Sequence, residues 1–348
     1  MSEPAEVTVD VTEAAELGEP CRLAASITLP DASVVGARPV VCFAFPGGGY
    51  GRRYYTFDMP GAGGGGQAGW HAGRGWVFVA VDHLGVGDSS QPDPVRLTYE
   101  NVAAANASAV RSILAGLQDG TLLHGVKIDP EPVALGIGQS MGGCFVIVCQ
   151  GQHAVFDGIG VLGFSGIHTI VPSRPGAEAT PMPWMPRSAT TAVPIIVNQE
   201  VLKAAGGAAV TGGESLADAA QQAEHPWRWA FHYDDEPSDV VDTDMAAGLS
   251  SEPLPPWRSA TTPPCAIQMV APGTVATEAA AIRVPVFIGV GERDVVPDPY
   301  VEPKAFFSSS EITLSITERM AHMHNFAQTR EKLWSRLHHW GEGVAAGH

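Results

Sequence analysis

The chain has 348 residues, 45% of them hydrophobic and 16% charged, so it can bury a sizeable core and does not have the composition of a disordered polypeptide. Its 37 acids against 20 bases leave a net charge of −17 with no cluster of Lys or Arg. That argues against a nucleic-acid binder, which needs positive charge to displace phosphate counterions, and weighs towards a small, neutral partner.

Met1-Ser2-Glu3-Pro4-Ala5-Glu6 has neither the basic start nor the apolar stretch of a signal peptide. No run approaches the ~18 apolar residues of a membrane helix. A cytoplasmic protein that engages no membrane is expected. Cys21, Cys42, Cys144, Cys149 and Cys265 form no CxxC pair, and their odd number argues for free, mostly buried thiols.

Alternation over roughly 6–12 and 21–29 suggests two strands at the start of the chain. Near-continuous apolar runs follow at 39–45, 77–82, 133–138, 159–164, 284–290 and 312–316, as expected of strands buried on both faces. The first of these runs stops at Pro46-Gly47-Gly48-Gly49. Helical spacing over 101–117, 141–151 and 327–340 separates several of the strands. Strands alternating with helices predict an α/β fold with a parallel sheet covered on both sides.

Residues 167–283 break this rhythm with dense prolines and with four tryptophans, Trp184, Trp227, Trp229 and Trp257. Short helices are expected near 195–205, 215–224 and 238–248. The stretch reads either as a helical subdomain with its own small core or as a lid over a pocket, and the lid is favoured. Gly61 to Gly66 is glycine-rich without a phosphate-binding signature.

The sharpest local signal is Gly138-Gln139-Ser140-Met141-Gly142, a G-x-S-x-G pattern between a predicted strand and a predicted helix. Such a turn lifts a serine hydroxyl clear of the sheet and aims the first helical amides at a reacting carbonyl. On these residues the chain resembles the α/β-hydrolase superfamily over nearly its whole length. The resemblance implies a mostly parallel sheet of about eight strands and a helical cap inserted after the sixth. It also implies a nucleophile, an acid and a histidine in that chain order. The core is then 1–166 with 284–348, and the cap 167–283. Asp82-His83-Leu84-Gly85-Val86-Gly87-Asp88-Ser89 resembles the family's turn after the fourth strand and is read as structural.

Ser140 is the expected nucleophile. The acid should follow a late strand, and Gly291-Glu292-Arg293-Asp294 resembles the family's acid turn, which assigns Asp294 over Glu292 and Asp298. The loop after Phe164 offers no carboxylate. The histidine should follow the last strand, where Ala321-His322-Met323-His324 offers two; His322 is preferred because a small residue precedes it. Alternation in an extended loop would place both rings on one side, so spacing does not separate them. No acidic or cysteine ligand lies near in sequence, so His322-x-His324 is not read as a metal pair. His338 and His339 are expected to face solvent.

An oxyanion hole would take one N–H from Met141 and a second from the loop after the third strand, Gly48 before Gly49. That loop begins Phe45-Pro46 where the family usually has His-Gly. Arg52, Arg53, Tyr54 and Tyr55 either line the pocket mouth or anchor the loop. Tyr50, Trp184, Met185 and Trp227 are expected at the substrate.

A serine nucleophile argues against haloalkane dehalogenases and epoxide hydrolases, which use aspartate there. The expected activity is hydrolysis of an ester, lactone or thioester of a small, neutral, hydrophobic substrate. The aromatic, Met-containing insert (with Met182) weighs towards that class. Rival readings are a C–C bond hydrolase on a diketone and a non-catalytic ligand receptor. The expected partner is a small-molecule substrate, a homodimer is left open, and no cofactor motif is present.

Overall fold

The computed structural model describes residues 3–59, 65–128, 131–176, 184–187, 226–247 and 253–347. Eight strands form one sheet: β1 (Ala5–Asp10), β2 (Arg22–Thr28), β3 (Val40–Phe45), β4 (Val77–Val81), β5 (Val133–Gln139), β6 (Gly158–Leu162), β7 (Val286–Arg293) and β8 (Ile312–Ala321). Their order is β1-β2-β4-β3-β5-β6-β7-β8, antiparallel at β1–β2–β4 and parallel throughout the rest. Every residue of β3, β4, β5 and β6 is buried, which accounts for the uninterrupted apolar runs in the sequence.

The described helices are α1 (Thr12–Ala15), α2 (Gly66–Ala72), α3 (Tyr99–Asp119), α4 (Met141–His153), α5 (Pro226–Phe231), α6 (Ser238–Ala246), α7 (Ala276–Ala281) and α8 (Arg330–Gly347). Alternate strand residues feed two cores, one on each face. Phe43, Val79, Ile159 and Ile288 pack towards α3 and α4, while Cys42, Phe78, Leu135 and Phe287 pack towards α8. All five cysteines are buried and free. The last helix starts with a long amphipathic face, Leu333, Trp334, Leu337 and Trp340, all buried. His338, expected at the solvent face, is instead stacked on Trp76 at 4.5 Å and His71 at 5.4 Å. The helix turns that side towards α2, which the glycine-rich sequence around 66 did not reveal.

Of the helices expected in the 167–283 segment, the one near 238–248 is present as α6. Those near 195–205 and 215–224, together with Met182, lie outside the described residues.

Strand order reverses between β3 and β5, whose neighbours β4 and β6 lie on opposite sides. A crevice opens at the carboxyl ends of strands at such a point. Phe45 pairs with Gly138, so the loop after β3 and the turn after β5 leave the sheet side by side. A buried ion pair anchors the β3 loop: Asp82 accepts from Arg52 N–H at 2.6 Å and from its guanidinium at 2.5 Å, and Arg52 also reaches Ser26 and Glu6. Arg52 is therefore an anchor of the loop and not a pocket group. Replacing one member of such a pair strands the other charge in a dry site. Arg52→Met is expected to destabilise the fold by about 3–5 kcal/mol in urea unfolding; a midpoint matching the wild type would contradict the anchoring role.

Candidate active site

Three strand ends build the site. β5 ends at Gln139 and α4 starts at Met141, leaving Ser140 between them at φ 53 and ψ −117. A non-glycine residue rarely adopts this conformation, and it holds only where the surroundings impose it. Ser140 N–H donates to Leu162 C=O at 2.8 Å, and Ser140 C=O accepts from Cys144 N–H at 3.1 Å. The glycines of the motif have distinct reasons. A Cβ on Gly138 would sit 2.2 Å from the Gly142 backbone, and a Cβ on Gly142 would sit 2.0 Å from Phe45 C=O. Strand β3, strand β5 and the first turn of α4 touch backbone to backbone, and a methyl group would part them.

His322 follows β8. Ser140 Oγ–H donates to its Nε2 at 3.0 Å, and its Nδ1–H donates to Asp294 Oδ1 at 2.7 Å. Ser140, His322 and Asp294, far apart in the chain, are thus joined in one hydrogen-bonded series. The His322 backbone is held as well: its C=O accepts from Gln139 Nε2 at 2.8 Å and its N–H donates to Ala230 C=O at 3.2 Å. The Phe231 ring covers the imidazole at 4.9 Å, and Trp227 packs on Phe231 at 5.1 Å.

Asp294 is buried and accepts four hydrogen bonds. Oδ1 takes Val295 N–H at 2.7 Å beside His322, while Oδ2 takes Gly291 N–H at 2.9 Å and His324 Nε2 at 2.6 Å. Burial alone would raise its pKa, but the two histidines outweigh it and hold the carboxyl far below the usual carboxylate range. Of its rivals, Glu292 is exposed and accepts from Arg319 N–H at 2.7 Å, and Asp298 caps the following turn by accepting from Tyr300 N–H at 3.1 Å. His324 does not share the side of His322: the chain turns into a 3-10 helix at His324, which puts its ring on the far oxygen of the acid.

Met141 is the first residue of α4, and first-turn N–H groups have no partner inside a helix. Gly48 lies opposite: its absent Cβ would be 4.0 Å from Met141 Cβ, and its N–H meets no acceptor among the described residues. Gly49, expected as an alternative donor, is corrected by the structure, because its N–H is spent on Thr262 Oγ1 at 3.0 Å. Tyr50, expected at the substrate, is 2% exposed and donates its hydroxyl to Asp244 Oδ2 at 2.6 Å. Trp184 is 51% exposed and Met185 is half-buried. Tyr54 and Tyr55 are buried anchors, with Tyr55 Oη donating to Phe45 C=O at 2.7 Å and Tyr54 Oη accepting from Asn325 N–H at 3.0 Å.

The sequence reading missed how residues 226–247 and 253–262 support the site. Gly51 N–H donates to Trp257 C=O at 2.9 Å, Ser259 N–H donates to Gly49 C=O at 3.0 Å, and Tyr50 forms a β-bridge with Arg258. Beneath them, His232 lies between Glu236 at 2.7 Å and Asp244 at 3.1 Å, and Asp244 also accepts from Trp257 Nε1 at 2.7 Å. Burial opposes a charge on His232, yet Asp244 and Glu236 push its pKa up to about 9. No spacing in the chain announces the contacts of the β3 loop with residues 257–259, which join residues more than two hundred positions apart.

No protein-family model and no curated protein matches the sequence. Solved structures do. A thermophilic esterase from Thermogutta terrifontis superposes with a TM-score of 0.59 at 15% identity, over 97% of this chain and 99% of that one. A bromoperoxidase from Bacillus anthracis gives 0.58 at 15% identity, over 97% and 100%. An E-2-(acetamidomethylene)succinate hydrolase gives 0.54 at 14% identity, over 96% and 97%. With the sheet order above, these likenesses give the chain the α/β-hydrolase fold.

Two outcomes test the geometry. Gly142→Ala is expected to cost at least ~2 kcal/mol of stability, because backbone has to move to admit the methyl group; an unshifted urea midpoint would contradict the contact with Phe45. The His232 pKa is raised from its ordinary 6.5 to about 9 on folding, so its contribution is complete below the lower value and is lost as pH rises through the higher. Unfolding free energies measured from about pH 7 to 10 should therefore decline in the wild type. The decline should be absent in His232→Gln, and parallel curves would remove His232 as its source.

Proposed function

We propose that this chain is a serine hydrolase that cleaves an ester-type bond through an acyl-enzyme, with Ser140 as nucleophile, His322 as base and Asp294 as its orienting acid. The observation that carries the reading is the unbroken series Ser140 Oγ to His322 Nε2 at 3.0 Å and His322 Nδ1 to Asp294 Oδ1 at 2.7 Å. The esterase and the E-2-(acetamidomethylene)succinate hydrolase among the similar structures support it at the level of fold.

A serine hydroxyl is a weak nucleophile until a neighbouring base takes its proton. His322 Nε2 accepts that proton as Oγ attacks the carbonyl carbon. Negative charge moves to the carbonyl oxygen, where the Met141 and Gly48 N–H groups receive it. The imidazolium then returns the proton to the leaving oxygen or sulfur as the bond breaks. Water enters, His322 takes one of its protons, and the same sequence releases the acid and restores Ser140. Asp294 stays ionised, keeps the His322 proton on Nδ1 and so leaves Nε2 free to accept.

Phe231, packed against His322, and Trp227, packed on Phe231, favour a hydrophobic acyl or alcohol group, and the net charge of −17 disfavours a polyanion. Residues 167–283 act in this reading as a cap over that pocket, with Trp184 and Met185 at its outer part. Among the described residues no helix is long and apolar enough to cross a membrane, and a small molecule diffusing to the site is the partner proposed.

A fluorophosphonate probe should label the wild type and fail to label Ser140→Ala; label retained by the variant would reject the nucleophile. On a panel of esters, lactones and thioesters, His322→Ala should lose about a hundredfold more turnover than His324→Ala, the usual weight of a general base. Turnover of vinylogous diketones with no ester cleavage would move the assignment to C–C bond hydrolysis.

A further inference from the structure

The mechanism above leaves one buried group at the site unused. His324 is 1% exposed, and its Nε2 is 2.6 Å from Asp294 Oδ2, on the side of the acid away from His322. An ionised carboxylate only accepts, so the proton of this bond belongs to His324 Nε2. The other ring nitrogen, Nδ1, is buried and has no partner among the described residues. Filling space does not need an imidazole, and an imidazole with one nitrogen stranded costs desolvation that an aliphatic side chain avoids. What the imidazole supplies is the fourth donor to Asp294.

Its placement is firmly fixed. Ala327 N–H donates to His324 C=O at 3.2 Å, closing the 3-10 turn. The next residue is tied on three sides, with Asn325 N–H donating to Tyr54 Oη at 3.0 Å, Asn325 Nδ2 donating to Tyr54 C=O at 3.2 Å and Asn325 Oδ1 accepting from Trp334 Nε1 at 2.9 Å.

We propose that His324 is a positioning residue for the hydrolytic reaction: its Nε2–H, given to Asp294 Oδ2, sets the plane of the carboxylate so that Oδ1 faces His322 Nδ1, and draws off negative charge that Oδ1 would otherwise present to the base. This rests on the serine hydrolase reading of Ser140, His322 and Asp294. No proton leaves His324 during turnover. Its effect is to keep His322 a poised base. A carboxylate relieved of the His324 donor presents more negative charge to the His322 imidazolium.

The titratable and charged groups around the pair come from four elements. Ser140 faces His322 from the turn after β5. Tyr54, from the loop after β3, is kept neutral by burial. His232 packs on Phe326 at 5.4 Å and is paired to Glu236. On the acid turn, Glu292 is engaged by Arg319 N–H, and Arg293 is paired to Asp234.

The test compares wild type, His324→Leu and His324→Gln, the last keeping a neutral N–H donor near the position of Nε2. The His322 titration is followed by NMR on 15N-histidine protein, assigned by its loss in His322→Ala, and fluorophosphonate labelling rates are taken across the same pH range. In His324→Leu the His322 midpoint should rise, and the maximal labelling rate should fall about tenfold, the worth of roughly one charge-assisted hydrogen bond. His324→Gln should restore both towards wild type. A leucine variant with the wild-type midpoint and rate, or a glutamine variant no better than leucine, would overturn the proposal.

If neither variant folds, the wild-type spectrum decides. It should show two low-field imidazole N–H resonances, from Nδ1 of His322 and Nε2 of His324, and a single one overturns the assignment. A wild type that resists labelling rejects Ser140 as nucleophile, while the midpoint comparison still judges His324 separately.

Discussion

The site depends on backbone meeting backbone at the turn after β5. Gly138 lies against Gly142, and Gly142 lies against Phe45 C=O, so β3, β5 and the start of α4 are as close as main chains can be. That closeness forces Ser140 to φ 53, which is what raises its hydroxyl out of the sheet. It also fixes the distance from the first amide of α4 to the loop that follows Phe45. The strain at one residue and the arrangement of the proposed oxyanion donors therefore have one cause. The parallel register of β3 and β5 sets both before any cap residue is considered.

The remaining half of the site is held from the insert side. Backbone groups of α5 accept from His322 and Met323 N–H, and Arg293 lies between the rings of Trp229 and Tyr233 at 4.3 and 4.6 Å while donating to His232 C=O at 2.6 Å. Residues 257–262 take both backbone groups of Gly49 and the N–H of Gly51. The buried group of His232, Asp244, Tyr50 and Trp257 joins these two supports. Part of the proposed cap is thus scaffold for the proposed base and the proposed oxyanion loop, and the lining role would belong to Phe231 and Trp227. Buried charges at such a junction cost desolvation, and each is offset here by paired partners.

Much of this was legible in the sequence because the sheet is buried on both faces. Fully buried strands read as apolar runs, the two strands at the start of the chain were visible by alternation, and all eight were found, though β8 continues past 316 to Ala321 and β7 past 290 to Arg293. The candidates Ser140, Asp294 and His322 could be picked out because each sits where a strand ends. The choice between His322 and His324 was not, since alternation assumes an extended loop and this one curls into a 3-10 turn at His324. Tyr50 and Gly49 were misread for another reason. Their partners, Asp244 and Thr262, lie about two hundred residues away, and nothing local to a glycine-rich loop says which of its N–H groups tertiary contacts will consume. Helices α2 and α7 were hidden by glycine-rich and short alanine-rich sequence, where packing decides and propensity does not.

The saturation of Asp294 determines what kind of acid it can be. Two backbone N–H groups and two imidazoles occupy both oxygens, and the side chain is out of contact with solvent. A proton arriving on either oxygen would break at least one of these bonds and lose the attraction of the histidines. In the proposed mechanism the carboxylate therefore holds its charge through any change at His322 and acts by orientation and field, not by taking the proton. Such an acid needs a surrounding that fixes its rotation, because a carboxylate free to turn offers the base either oxygen. The acid turn supplies that on one side through Gly291 and Val295. The 3-10 turn after β8 supplies it on the other through His324. The same short segment, 322–324, thus carries both the proposed base and the proposed positioning group for its acid, and its two histidines come to lie on opposite oxygens of a single carboxylate.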